Sequence, residues 1–172
     1  MSVVINGSAG VTTNSGAVYD GIQRGTAVTA SGTSVDFTSI PSWVRRITVM
    51  FSVVSTNGSS NFQIQIGSGS VITSGYVSRF SSVTTGINAT SSGTTGILFA
   101  NTGSTLNHNG WVQFTLVTGN TWVAGGVLGS NFPAVIWTSG EITLGGTLDR
   151  LRVTTVNGTD TFDAGTINIL FE

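Results

Sequence analysis

Charge is what this chain has least of. Charged residues make up 8% of its 172, Lys and Cys are absent, and His occurs once, at position 108. Six Arg stand against seven Asp and Glu, for a net charge of −1. Each shortage excludes a chemistry. Without Cys there is no disulfide framework, no thiolate zinc site and no cysteine nucleophile. Sparse, balanced charge gives no long-range pull on nucleic acid or on an anionic membrane. Acid–base catalysis and metal binding draw on His, Asp and Glu, which are few and scattered here, so no enzyme, metal or cofactor is expected. No run reaches the ~18 apolar residues that a membrane-crossing helix needs, and membrane insertion is not expected. The opening Met1-Ser2-Val3-Val4-Ile5 lacks the basic start of a secretory signal, and Asn6-Gly7 ends its apolar run early.

What the chain does have is hydroxyl and amide groups over an apolar core. About half of the residues are Gly, Ser, Thr or Asn, and 39% are hydrophobic. That apolar share, rich in Val, Ile and Phe, argues against disorder. A chain of this length is most simply one domain, with room for an extension. A surface with so little charge favours burial in an oligomer or a larger assembly. Asn6, Asn57, Asn88 and Asn157 begin N-x-Ser/Thr triplets. Asn, Ser and Thr are so frequent that chance accounts for them, and glycosylation is not expected.

Period-two alternation dominates the chain beyond its first residues. Residues 1–25 show neither period and are broken by Gly7, Gly10, Gly16, Gly21 and Gly25, so they read as an extended N-terminal arm ordered against a neighbour. Residues 26–172 read as a β-sandwich domain. Residues 27–37 suggest a hairpin around Ser31-Gly32-Thr33. Ile47, Val49, Phe51 and Val53 share one face of a strand. Asn57-Gly58 then predicts a hairpin over 44–67, with Phe62, Ile64 and Ile66 alternating with Gln63 and Gln65. Short strands are expected at Val71-Ile72 and Tyr76-Val77, and polar loops at 81–95 and 101–109. A second hairpin spans 111–128 about Gly119-Asn120. Short strands at 134–137 and 141–144 flank Ser139-Gly140, and strands at 151–156 and 166–171 are joined through Asn157-Gly158. No helical period and no long repeat is visible. About ten short strands at this spacing predict an all-β, antiparallel β-sandwich, jelly-roll-like.

Few residues can carry chemistry. His108, in Leu106-Asn107-His108-Asn109-Gly110, reads as a solvated loop residue, and no nucleophile elbow accompanies it. Asp160 and Asp163 lack the acid-rich pattern of a calcium loop and read as turn chemistry. Binding is the better expectation. Tyr76, Arg79, Trp111, Gln113, Trp122 and Trp137 are candidate contacts of a receptor or of a subunit interface, and interface or core is the commoner fate of such aromatics. The loops at 68–95 and 101–109 are the candidate binding tip. Arg150 and Arg152 share an outward strand face, within range of Asp149, Asp163 or Glu172 as ion-pair partners.

Two segments carry a family resemblance. They are Ile40-Pro41-Ser42-Trp43-Val44-Arg45-Arg46-Ile47-Thr48-Val49-Met50-Phe51 with Ser55-Thr56-Asn57-Gly58, and the stretch from Leu148-Asp149-Arg150-Leu151-Arg152 through Asn157-Gly158-Thr159-Asp160-Thr161-Phe162 to Ile169-Leu170-Phe171-Glu172. Both resemble the C-terminal β-sandwich domains of tailed-bacteriophage tail-fibre-like virion proteins. The opening Val3-Val4-Ile5-Asn6-Gly7 is similar to how such proteins begin. The resemblance implies a virion protein on the tail or capsid surface. It implies a homotrimer, attached to another virion protein through residues 1–25 and touching host surface glycan or protein through loops. Because only residues 1–25 precede the domain, a short spike, tip or surface module is expected rather than a long fibre. A capsid decoration or head-fibre protein with a structural role is the alternative, and a surface-polysaccharide hydrolase the more distant one.

Overall fold

The computed structural model of the chain describes residues 3–6, 10–13, 18–19, 21–101 and 103–172, and among these there is strand but no helix. The first strands, β1 (Val3–Asn6), β2 (Gly10–Thr13) and β3 (Val18–Tyr19), form a small antiparallel sheet of their own. They belong to the segment read as an arm, whose residues 1–2, 7–9, 14–17 and 20 lie outside the described residues. β4 (Gln23–Arg24) and β5 (Val28–Thr29) already join the main body.

Twelve longer or shorter strands follow. They are β6 (Ser34–Thr38), β7 (Arg46–Thr56), β8 (Phe62–Ser68), β9 (Ser70–Val71), β10 (Val77–Thr84) and β11 (Ile87–Gly93). Next come β12 (Ile97–Phe99), β13 (His108–Thr118), β14 (Thr121–Ser130), β15 (Ala134–Thr143), β16 (Arg150–Thr155) and β17 (Phe162–Phe171). One sheet runs β11-β10-β15-β14-β13-β7-β17-β4, with β5 also on β17. The other runs β12-β8-β16-β6, with β9 on β8. The two sheets meet over one core, where Phe51 of β7 packs edge-on against Phe99 of β12 at 5.2 Å between ring centres. Phe62 of β8 sits at its middle, stacked on Phe162 and edge-on to His108.

The strand order is that of a jelly roll, as the sequence predicts. β4-β17-β7-β13 and β6-β16-β8-β12 are its two four-stranded layers, and the chain passes between them in the jelly-roll sequence. Two connections are drawn out. The link from β8 to β12 contains β10 and β11, and the link from β13 to β16 contains β14 and β15. These four strands pair with one another and continue the first sheet beyond β13. The first sheet therefore overhangs the second.

Several local expectations change. The segment 44–67 is not a hairpin. β7 pairs with β13 and β17, whereas β8 pairs with β12 and β16, so Asn57-Gly58 arches from one sheet to the other. Asn57 bonds across to Thr161, its N–H to the Thr161 carbonyl and its side-chain oxygen from the Thr161 N–H, instead of closing a two-residue turn. The same holds for 27–37, where β5 and β6 lie in different sheets; Asn157-Gly158 joins β16 to β17 as expected, and it too crosses between the sheets. Both ends of each arch carry a face that must be buried, and burying them against each other as two layers removes more apolar surface than a flat hairpin would. The expected hairpin over 111–128 forms as β13–β14. The predicted loop at 81–95 is mostly the β10–β11 hairpin, and 134–143 is a single strand.

On β7 the alternation slips by one. Ile47, Val49 and Phe51 face the core, but so do Val54 and Thr56, and Val53 points outward with φ +56°. The register shifts against both neighbours at this point, opposite Asn109 of β13 and near Gly165 of β17. The extra residue of this bulge re-aims the rest of the strand.

Candidate functional site

The overhang creates a cavity. β12 is the end strand of the second sheet, and it is tied to the overhang by Leu98, whose N–H donates to Ser78 Oγ (2.9 Å) and whose carbonyl accepts from Thr138 Oγ1 (2.6 Å). Past β12, among the described residues, no strand lies opposite the inner face of β10, β11 and β15. Cross-strand register puts Phe80 beside Ser91, and Ser82 between Ala89 and Ile136. These side chains and the Ala100 to His108 connection enclose about 370 Å³. Leu106 and Ala100 close one side, and the half-exposed Phe132 stands at another.

Among the described residues, no charged side chain lines this space. Its walls are apolar groups interleaved with the hydroxyls of Ser82, Thr84, Thr90 and Ser130. Such a lining suits an uncharged ligand with an apolar face and hydroxyl or amide groups, and its size falls within the ~300–1,000 Å³ of ordinary ligand pockets.

His108 lies at the inner end of the cavity and corrects the expectation of a solvated loop residue. It is the first residue of β13, 1% exposed, in phase with the core residues Val112 and Phe114. Burial pushes its pKa down, and the nearby Val54 and Ala100 carbonyls only partly oppose this, so the site favours the neutral form. Its Nδ1 is buried with no hydrogen-bond partner. Ser130, its cross-strand partner on β14, donates its hydroxyl to the Phe132 carbonyl (2.8 Å). No cluster of three or more His, Asp or Glu suited to a metal occurs among the described residues.

The six residues singled out in the sequence separate into two groups. Tyr76 and Trp122, at 1% and 3% exposure, are core residues and present no contact surface. Their polarity misleads because each stands beside a turn. The Tyr76 hydroxyl reaches inward, accepting from the Ile66 N–H (2.8 Å) and donating to the Ile66 carbonyl (3.2 Å). Its burial pushes the phenol up to about 12. Trp111, Gln113, Trp137 and Arg79 all lie on the outer face of the first sheet. Trp111 is opposite Val127, and Val127 is opposite Trp137, so the three form one row across β13, β14 and β15. Gln113 and Arg79 lie in the next row, with Gly125 and Ser139 between them.

The charged residues are mostly paired within the chain. Arg152 holds Asp36 through two hydrogen bonds (2.7 and 3.1 Å), Arg150 holds Asp149, and Arg46 meets Glu172. The Arg150 hydrogen bond keeps the Asp149 carboxyl below its ordinary range. Asp160 accepts from the Asn157 amide and the Ser60 N–H, which lowers its pKa likewise, and Asp163 accepts from Ser55 Oγ. Asp160 matches the expected turn chemistry through its local Asn157 partner, whereas Asp163 lies in β17 and bonds across to Ser55 of β7.

Sequence reasoning missed Phe80, Ser82, Ala89 and Ser91 as a wall. The signal was there in Phe80 and Ser82 alternating with Arg79 and Ser81, but the small polar residues of 81–95 hid it. Comparison with known proteins found no matching family model, curated protein or solved structure.

Proposed function

We propose that this chain is a bacteriophage virion surface protein of tail-fibre or spike type, which holds an uncharged part of a host surface molecule at the cavity under the overhang. The phage context rests on the resemblance at residues 40–58 and 148–172. One observation carries the binding reading: residues of the segments 68–95 and 101–109, which the sequence singles out as a binding tip, line an uncharged, hydroxyl-bearing cavity together with Ser130, Phe132 and Ile136. Residues 1–25 attach the protein to the particle, and several copies per particle raise weak individual contacts to a useful avidity.

The purified protein is expected to bind host cells and to block infection. Ser91→Trp, on the exposed edge strand β11, fills the cavity mouth and is expected to abolish both without lowering the melting temperature. Host binding that survives Ser91→Trp removes the cavity from the reading. A protein that neither binds host cells nor blocks infection, and that antibody labelling places on the capsid, is a decoration protein instead.

A further inference from the structure

We infer that the outer face of the first sheet, centred on Trp111, Val127 and Trp137, is covered by a second copy of this chain. This deepens the assembly side of the proposed function, since multivalent contact needs several joined copies, but it is read in the isolated protein without any host.

The apolar row comes first. Trp111 and Trp137 are 43% and 50% exposed although the residues behind them, Val112 and Ile136, are fully in the core. Neighbouring strands lie ~4.8 Å apart, so these two rings stand about 10 Å from one another with the half-buried Val127 between them. Val135, on the same face of β15 two residues before Trp137, extends the patch and is 39% exposed. A centre of aromatic and aliphatic side chains without charge is the make-up of a protein interface core. Clustered exposed apolar residues, unlike single ones, mark such a surface.

The charges on this face identify the occupant. Asp36, Asp149 and Glu172 each hold an Arg, and Asp160 and Asp163 are tied by Asn157, Ser60 and Ser55. Among the described acids, only Glu141 has no such partner. It lies on this outer face, directly opposite Val77 and Val123. Arg79 lies on the same face, one row nearer the Trp residues, and its guanidinium reaches only the carbonyl of Ser78 in its own strand. The patch thus offers one cation and one carboxylate at its rim, neither paired with an opposite charge among the described residues. A twofold contact repeats every pairing, i with j and j with i. The face of another copy therefore supplies the Glu141 that each Arg79 lacks and the Arg79 that each Glu141 lacks, while the two apolar rows cover one another.

Sedimentation velocity of the full chain over a concentration series tests this. The protein is expected to sediment as an oligomer, and Trp111→Ser with Trp137→Ser as a monomer with an unchanged circular-dichroism spectrum. Arg79→Glu alone sets like charges together and is expected to weaken association by about tenfold or more, as is Glu141→Arg. Arg79→Glu combined with Glu141→Arg is expected to restore it, which no effect on the monomer fold would do. A wild-type protein that is monomeric at every concentration overturns the inference. So does an oligomer that survives the double Trp replacement. A monomer whose Trp fluorescence responds to a neutral polysaccharide such as dextran would assign the face to a sugar ligand and overturn it equally.

Discussion

Val53 is the residue whose conformation the sequence least supports. A β-branched side chain at φ +56° stands in the left-handed region, which costs an L-residue roughly 1–2 kcal/mol. Its N–H is held by the Asn109 side chain (2.8 Å), and its side chain is 47% exposed, so nothing in the core depends on the valine itself. Val53→Asn is therefore expected to raise stability by about 1 kcal/mol, seen as a higher urea midpoint with an unchanged slope. Tyr76 is the opposite case. Tyr76→Phe leaves the buried Ile66 N–H without its acceptor and is expected to cost about 2 kcal/mol in the same measurement. His108 sets a pH dependence. Its pKa is lowered in the folded state, so the unfolded chain binds the proton more readily. The contribution to stability is full above the unfolded pKa of about 6.5 and is lost as pH falls through the folded value. Asp149 and Asp160, also lowered, lose theirs only in the lower carboxylate range. His108→Leu is expected to flatten the urea midpoint just below pH 6.5 while leaving the more acidic fall in place.

Among the elements, the β13–β14 hairpin is the most legible, although β13 begins at His108, inside the segment read as a loop. Val112, Phe114 and Leu116 alternate with Trp111, Gln113 and Thr115, and Gly119-Asn120 closes the turn, so one short window holds both the face and the connection. The arches at 57–58 and 157–158 carry the same turn dipeptides, yet join different sheets. What separates the cases is which distant strands cover each face, and no local window contains that. β11 was invisible because Ile87–Gly93 is an edge strand of small polar residues, with no apolar alternation to read. As for the candidate site, the loops read at 68–95 and 101–109 include part of the cavity lining, but Ser130, Phe132 and Ile136 lie outside them, and the wall of Phe80, Ser82, Ala89 and Ser91 depends on a register that only pairing fixes. Two glycines show how turn and ladder differ in tolerance. Gly86 has φ +88° with open space around it, whereas Gly110 has φ +141° and a Cβ there would lie 2.3 Å from the Val127 carbonyl oxygen. Gly86→Ala is expected to cost about 1 kcal/mol, the strain of a left-handed residue. Gly110→Ala is expected to cost at least about 3 kcal/mol, because strand β14 itself would have to move.

The whole molecule begins, as a packed body, at β4. β1, β2 and β3 pair with one another, while Gln23–Arg24 and Val28–Thr29 pair with β17. Removal of residues 1–20 is therefore expected to leave the melting temperature within about 2 °C of the full chain, less than a 1 kcal/mol change produces at this size. Removal of residues 1–30 strips the edge of β17 and takes away the buried Ala30, and a clear fall is expected in the same calorimetric scan.

The position of β17 has a consequence in time. This strand is inserted between β7 and β4, and Arg46 is held by Glu172 at a separation of 126 residues. β16 likewise lies between β6 and β8. Both layers thus lack an inner strand until the final quarter of the chain has been synthesised. During translation at ~5–20 residues per second, β7 and β8 wait for seconds with open edges beside the ribosome. Completion then comes as one late event, when Phe171 emerges and slides into a place already bordered on both sides.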